Sequence, residues 1–276
     1  MSNLFQIRQK ISQRIPPDKR HIIQDVLYFF LYNVTPIRRC FFFNSGYVPS
    51  NDELADIEPF KDEILQATLC DVILWQNCKT HISPEAEILE IGCGLGGALH
   101  LARMRYPDAR ITAIDKSNAA VRRARKRAKD LDVTIQCSAA QDTPFENDRF
   151  DFIYSVGTAS YVGLPPFVKE VSRIIKPGGI VSFSSGYTNA TFQKHEKKIK
   201  KLCKDYGFEL VSMSDITKNV FDAITADAGR REKLISKVPS PFRGYARDWA
   251  DMPGTMRYQQ YVEGKRLDYI CALKKT

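Results

Sequence analysis

Residues 87–97 read Glu87-Ile88-Leu89-Glu90-Ile91-Gly92-Cys93-Gly94-Leu95-Gly96-Gly97. Ile88, Leu89 and Ile91 make a short apolar run, long enough for a buried strand. Gly92, Gly94, Gly96 and Gly97 then form a turn with little side-chain bulk. Behind it Leu95, Ala98, Leu99 and Ala102 recur at helical spacing, with His100, Arg103 and Arg105 off that face. The order is strand, glycine turn, helix. Glycine tolerates positive φ and lets a backbone approach a ligand closely, and a helix start offers unpaired N–H donors. Such a turn at the end of a parallel strand makes a nucleotide-sized site. Gly92, Gly94 and Gly97 also match G-x-G-x-x-G, which alone does not separate a ligand site from an empty glycine-rich turn.

The rest of the chain alternates strands with helices. Ile111–Ile114 predicts a second strand ending in Asp115, a carboxylate suited to a ribose diol. Val133–Cys137 and Phe150–Val156 predict the third and fourth strands. Lys176-Pro177-Gly178-Gly179 turns the chain into a fifth, Ile180–Ser184, and Phe208–Met213 and Leu267–Leu273 supply the last two. Between them lie a basic helix over 118–129, a helix opened by Pro165-Pro166 with Phe167, Val168, Val171, Ile174 and Ile175 on its buried side, and a second basic helix over 191–206. This pattern is α/β: a Rossmann-like, doubly wound, seven-stranded and mostly parallel sheet.

Four stretches in order resemble the successive motifs of class I S-adenosylmethionine-dependent methyltransferases: E-I-G-C-G-L-G-G, A-I-D, F-D-F-I-Y-S-V and I-I-K-P-G-G, together spanning residues 87–185. Asp115 is shared with NAD sites; Glu90 and the Lys176–Gly179 turn separate this family from nicotinamide enzymes. The resemblance implies S-adenosyl-L-methionine as cofactor, held by Glu90, Gly92, Cys93, Gly94, Asp115, Lys116, Ala140, Gln141, Ser155 and Val156. After strand three the family pattern is G-D-A-x-x-L-P-F, and this chain has Ser138-Ala139-Ala140-Gln141-Asp142-Thr143-Pro144-Phe145. Ala139 stands where the family's adenine-reading acid is, so Gln141, Asp142 or the backbone alone takes that role. A narrower resemblance lies in F-F-F-N-S-G-Y-V (residues 41–48), the acidic loop after it and the tail from Gly254, which look like phthiotriol-type and related small-molecule methyltransferases. It implies an apolar, natural-product-like or lipid-like acceptor, with Tyr47 as the cap tyrosine that closes over the methionine end of the cofactor.

Methyl transfer from a sulfonium is an in-line displacement that needs alignment and exclusion of water. It needs no metal, but an oxygen or nitrogen acceptor that carries a proton needs a group to take it. The stretch after strand four, Ser155 to Tyr161, contains no acid and no histidine. Of four histidines, His81 is at the wrong end of strand one, His100 lies in the helix behind the glycines and His21 belongs to the N-terminal segment. His195, shortly after strand five, reads either as the base or as a solvated helix residue. Tyr161 and Tyr187, at strand ends, are the residues expected to orient the acceptor. Proximity catalysis with no dedicated base is the alternative.

Composition bounds the remainder. The 276 residues carry a net charge of +9 and seven cysteines. The cysteines are scattered without a C-x-x-C pair, which argues against zinc or a disulfide framework and for reduced thiols in a cytoplasm. Val26–Tyr32 is too short to span a bilayer, and the first 25 residues hold no apolar leader. The positive surplus sits in two stretches, Lys116–Asp130 with seven basic residues and one acid, and Gln193–Lys204 with six and one. Solvated helix faces explain it, with an RNA substrate as the alternative. That alternative lacks an Asn/Asp-Pro-Pro-aromatic motif after strand four and a recognisable RNA-binding module. The expected organisation is an aromatic-rich N-terminal helical cap over 1–80, with helices at His21–Tyr32 and Pro59–Cys78, then a cofactor-binding core over 81–214. A lid insertion comes next over 215–262, helical from Asn219 to Val238 and a loop from Pro239 to Pro253, and the final strand lies in 263–276.

Overall fold

In the computed structural model, which describes residues 40–49, 58–76 and 82–276, the apolar run before the glycines forms β1 (Glu87–Ile91). It lies between β2 (Arg110–Asp115) and β4 (Phe150–Val156), parallel to both, and β3 (Val133–Cys137) flanks β2. Ile88, Leu89 and Ile91 are fully buried, as expected of a central parallel strand covered on both faces. The sheet has seven strands in the order β3-β2-β1-β4-β5-β7-β6. β5 (Ile175–Thr188) continues the parallel set, and β7 (Arg266–Lys275) runs antiparallel between β5 and β6 (Phe208–Asp215).

The helices are α1 (Ile64–Asp71), α2 (Gly97–Arg105), α3 (Asn118–Arg127), α4 (Thr158–Val162), α5 (Leu164–Ile174) and α6 (Phe192–Tyr206). Four more connect β6 to β7: α7 (Thr217–Ala226), α8 (Ala228–Ile235), α9 (Ser240–Trp249) and α10 (Met256–Val262). One sheet face packs around Ile88, Phe152 and Tyr154 against α1, α2 and α7, and the other around Leu89, Ile153 and Phe183 against α5 and α6. The chain winds outward through β1, β2 and β3, then returns to β4 on the other side of β1. That reversal opens a crevice at the C-terminal ends of β1 and β4, where open α/β sheets bind ligands.

Several elements differ from expectation, each for a local reason. The Lys176–Gly179 segment is a bulge inside β5 rather than a turn ahead of it: Phe150 pairs with Ile175 and Phe152 with Ile180. Lys176 Nζ reaches both oxygens of Asp151 at 2.8 Å, and Asp151 accepts the Glu87 N–H at 2.8 Å. The motif therefore fastens the N-terminal edge of the sheet, opposite the crevice. Pro239–Pro253, expected as a loop, contains α9, with a proline in its first turn. There the missing N–H costs nothing and the fixed φ favours the helix. The helical stretch 219–238 is two helices broken at Asp227, and the helix expected over 59–78 begins as a 3₁₀ turn (Glu58–Glu63) and ends in a π segment (Val72–Gln76). The helix expected at 21–32, with Tyr28, Phe29, Phe30 and Tyr32 of the aromatic stripe, and residues 51–57 of the acidic loop lie outside the described residues. No helix among the described residues is long and apolar enough to cross a membrane.

Part of the basic surplus is structural. Arg127 donates to the carbonyls of Cys40 and Leu95 and lies over the Phe41 ring at 4.9 Å. Arg125 donates twice to the Ile135 carbonyl, at 2.9 and 2.6 Å. Those two guanidiniums of α3 tie the helix to its neighbours.

Candidate active site

Gly92 and Cys93 both donate their N–H to the Ile114 carbonyl, at 2.8 and 3.0 Å, which folds the glycine turn over the end of β2. Gly92 has φ +84, and a side chain there would place Cβ 1.9 Å from Thr158 Oγ1. Only glycine fits where the turn meets the start of α4. Asp115 ends β2 against this turn. Its Oδ2 accepts the Gly94 N–H and its Oδ1 the Ser117 N–H, both at 2.9 Å. A carboxylate oxygen accepts two bonds, so each keeps a free lone pair. Burial raises the Asp115 pKa, and the two backbone donors oppose that shift.

Glu90 precedes the turn and is 3% exposed. Tyr154 Oη donates to it at 3.0 Å. Burial pushes its pKa from an ordinary 4.5 up to about 8, with the Tyr154 bond opposing and Asp115 adding to the rise. The folded ligand-free chain thus holds this proton between about pH 4.5 and 8, where the unfolded chain has lost it. The contribution of Glu90 to stability is complete below 4.5 and is lost as pH rises through about 8. Thermal unfolding of the ligand-free protein should show a declining midpoint across that window, and Glu90→Gln should flatten the decline. Parallel profiles for the two proteins would show that Glu90 is ionised throughout.

The remaining expected cofactor residues surround this turn unevenly. Ser155 is buried and donates to the Ile91 carbonyl at 2.9 Å, joining β4 to β1. Lys116 and Gln141 are exposed and Ala140 is buried in the short turn closed by the Ala139–Asp142 bridge. Tyr47 packs against the core and donates its N–H to the Leu65 carbonyl at 2.9 Å.

Next along the crevice is a cavity of about 460 Å³. Its floor is the end of β4 and β5, with Val156, Gly157, Ser184 and Gly186; Tyr161 stands at its rim, 62% exposed. Phe42, Phe43, Leu69 and Val220 line one side, and Leu234, Ile235 and Trp249 come from the β6–β7 connection. Phe43 and Trp249 stack at 4.0 Å between ring centres, so the segment before α1 and α9 meet directly.

Of the residues expected to act on an acceptor, only Tyr161 lines this cavity. Tyr187 is inside β5, which runs to Thr188 rather than ending at Ser184. Strand alternation sends Ser184 and Gly186 to the cavity face and Tyr187 to the other, where its ring packs on His195 at 4.3 Å and on Tyr269 at 6.2 Å. His195 is thereby placed on the α6 face, away from the cavity. Its pKa is lowered, first by burial and then by Lys198 and Lys194. His100 packs edge-on to Phe41 and Phe60, a helix-packing residue.

The cavity also holds charges that the residue pattern did not single out. Arg230, Arg231, Arg257 and Arg266 line it with Glu63, Asp251 and Asp268. Asp227, at the α7–α8 break, accepts from Arg230 at 2.7 and 2.6 Å, from Arg231 at 3.0 Å and from Gln66 at 2.9 Å. Arg231 continues to the Ser45 and Ala250 carbonyls at 2.7 and 2.9 Å. The α7–α10 segment is thus clasped to α1 and to the strip before it.

A family model described as a methyltransferase domain matches residues 88–179, the stretch from β1 through the Lys176–Gly179 bulge. Phthiotriol/phenolphthiotriol dimycocerosates methyltransferase of Mycobacterium leprae (strain TN) is 26% identical over 188 residues, 66% of each chain. Residues 88–179 thus carry a methyltransferase domain. A fatty-acid O-methyltransferase of Mycolicibacterium smegmatis (strain ATCC 700084 / mc(2)155) is 27% identical over 172 residues, 62% of this chain and 60% of the relative. Both matches span slightly less than two thirds of the relatives' length. The fold is that of geranyl diphosphate C-methyltransferase from Streptomyces coelicolor A3(2), at TM-score 0.67 and 17% identity over 95% of this chain and all of the other.

S-adenosylmethionine, when bound, supplies an electrophilic methyl group on a charged sulfonium. The donor set fits such a ligand: Asp115 keeps two lone pairs for a diol, and the glycine turn lets the backbone come close. The chain's own residues fix the turn, aim the carboxylate and line the adjoining cavity.

Proposed function

We propose that this protein transfers the methyl group to oxygen on a small, lipid-like or natural-product-like acceptor bound in the cavity beside the glycine turn. The observation that carries this reading is the cavity itself. Its floor includes Val156 and Gly157, where the methyl group would be presented, and its walls set the apolar side chains of Phe42, Phe43, Leu69, Leu234, Ile235 and Trp249 beside charged groups that can hold a polar end. Its volume of about 460 Å³ suits a small molecule rather than a nucleic-acid strand. The phthiotriol dimycocerosates and fatty-acid methyltransferases among the relatives support a lipid-like acceptor. We read residues 1–80, 81–214, 215–262 and 263–276 as cap, core, lid and final strand, with Tyr161 orienting the acceptor at the rim. We place the reaction in the cytoplasm.

The RNA alternative draws only on the basic helices, and the structure weakens that basis. Arg125 and Arg127 are bonded to carbonyls, while Lys200 and Lys201 of α6 pair with Glu196 and Asp205 at 2.7 and 2.5 Å. The test is a screen of the purified chain against fatty acids, alkylphenols, fatty alcohols and RNA, reading S-adenosylhomocysteine release and product mass. Turnover is expected with a lipid-like compound and not with RNA. The rate should change by no more than about twofold between 50 and 200 mM salt, whereas four phosphate contacts to a single strand would cost roughly fiftyfold. RNA turnover with that steep salt dependence would overturn the reading.

A further inference from the structure

A hydroxyl acceptor must lose a proton as its oxygen takes the methyl group. With His195 off the cavity, three carboxylates among the described residues line it: Glu63, Asp251 and Asp268. Two are committed elsewhere. Glu63 accepts the Phe41 N–H at 2.6 Å and faces Arg230 at 3.4 Å. Asp251 lies between α9 and α10, bound to Arg257 at 2.8 Å.

Asp268 differs in position and in occupancy. It sits on β7, paired in register with Gly186 of β5, at the sheet edge that floors the cavity. Its own N–H donates to Thr217 Oγ1 at 3.0 Å and its carbonyl accepts the Ile216 N–H at 2.9 Å, so the backbone is held by the segment that follows β6. Tyr261 Oη donates to Oδ2 at 2.7 Å and fixes the carboxylate's rotation. Oδ1 has only Arg266 Nη2 at 3.5 Å, the outer limit of a hydrogen bond. A side chain at position 186 would put Cβ 2.2 Å from Oδ1. The missing side chain of Gly186 is what leaves that oxygen approachable from the floor of the cavity. Burial raises the Asp268 pKa, against the pull of Arg266 and the Tyr261 bond, which brings a carboxylate closer to the strength a base needs near neutrality.

We propose that Asp268 Oδ1 receives the proton of a hydroxyl-bearing acceptor during methyl transfer, with Tyr261 as the residue that positions the carboxylate. The acceptor O–H bond breaks and its proton goes to Oδ1. The new O–CH₃ bond forms as the methyl–sulfur bond breaks, leaving its electron pair on sulfur, and the proton then passes to solvent. The proposal rests on the reading of the cavity as the acceptor site and specifies its chemistry.

The test compares nonylphenol, which must lose a proton, with myristic acid, which is already ionised at neutral pH. For Asp268→Asn, kcat on nonylphenol should fall about a hundredfold, while the rate on myristic acid and S-adenosylhomocysteine affinity by calorimetry stay close to wild type. Tyr261→Phe removes a bond that favours the ionised carboxylate, so the acidic limb of the kcat–pH profile should move to higher pH. If Asp268→Asn does not fold, that limb decides alone, and an unmoved limb overturns the proposal. Equal losses on both acceptors would mark a structural role and also overturn it. Wild-type turnover of myristic acid without nonylphenol would overturn the proposal and keep the lipid-like acceptor; turnover of neither would overturn both.

Discussion

Replacing Asp227 with alanine should destabilise the folded protein by about 3–5 kcal/mol, the cost of removing one partner from a buried ion pair. The Asp227 side chain is 8% exposed and faces Arg230 and Arg231, which are 29% and 9% exposed. Burial alone would raise its pKa, but the Arg230 and Arg231 hydrogen bonds outweigh that and hold it below the ordinary carboxylate value. Without it, Arg231 stays buried with two carbonyl partners and no carboxylate hydrogen-bonded to it, and Gln66 Nε2 loses its acceptor. The loss is a large fraction of a typical stability of about 5–15 kcal/mol. Urea unfolding of wild type, Asp227→Ala and Asp227→Asn reads it, with asparagine intermediate because it keeps hydrogen bonds but not charge. A loss below about 1 kcal/mol for alanine would mean that both guanidiniums reach water. The same variant should also loosen α8 from α1, so hydrogen exchange should rise in 217–250 before it rises in the sheet.

That clasp was invisible in the sequence for a physical reason. Its partners, Gln66 and Asp227, are 161 residues apart. Charge pairs leave no period, and nothing local distinguishes Arg231 from the solvated lysines of α6. The strands were legible because burial on both faces forces apolar runs such as Phe152–Tyr154 and, interrupted only by Glu90, Ile88–Ile91. The glycine turn was legible because Gly92 has no room for any other residue against Thr158. Element ends were less so. Ser184 looked like the end of β5 because serine and glycine weaken a strand pattern, yet the ladder to β7 continues to Thr188. That misplaced Tyr187 by one face, and His195 with it, since side chains alternate along a strand and an error at its end puts the next residues on the wrong side. Prolines misled in the same way at α9, where a breaker in the interior is a starter in the first turn. Asp268 is not legible in the sequence because Arg266 to Lys275 reads only as the closing strand, and its proximity to Gly186 exists only once β7 has inserted antiparallel beside β5.

Asp115→Ala should weaken S-adenosylhomocysteine binding by about 3 kcal/mol, roughly a hundredfold in Kd. Two charge-assisted hydrogen bonds to the ribose diol account for it, each at the low end of the usual range, about 1.5 kcal/mol. A second effect acts in the same direction. Asp115 also accepts the Gly94 and Ser117 N–H groups, so it holds the glycine turn and the start of α3 in their binding geometry before the ligand arrives. Alanine removes both the ligand contact and that preorganisation, whereas asparagine keeps one acceptor oxygen. The expected order of affinity is therefore wild type, then Asp115→Asn, then Asp115→Ala. Unfolding midpoints without ligand separate the two contributions: a large fall for alanine assigns the loss to the turn, a small one to the diol. Calorimetry with S-adenosylhomocysteine checks the whole, with NAD as the control for which no binding is expected. Unchanged affinity in a folded Asp115→Ala protein would remove Asp115 from the ribose, and would leave the exposed Lys116 and the backbone of the turn to hold the ligand.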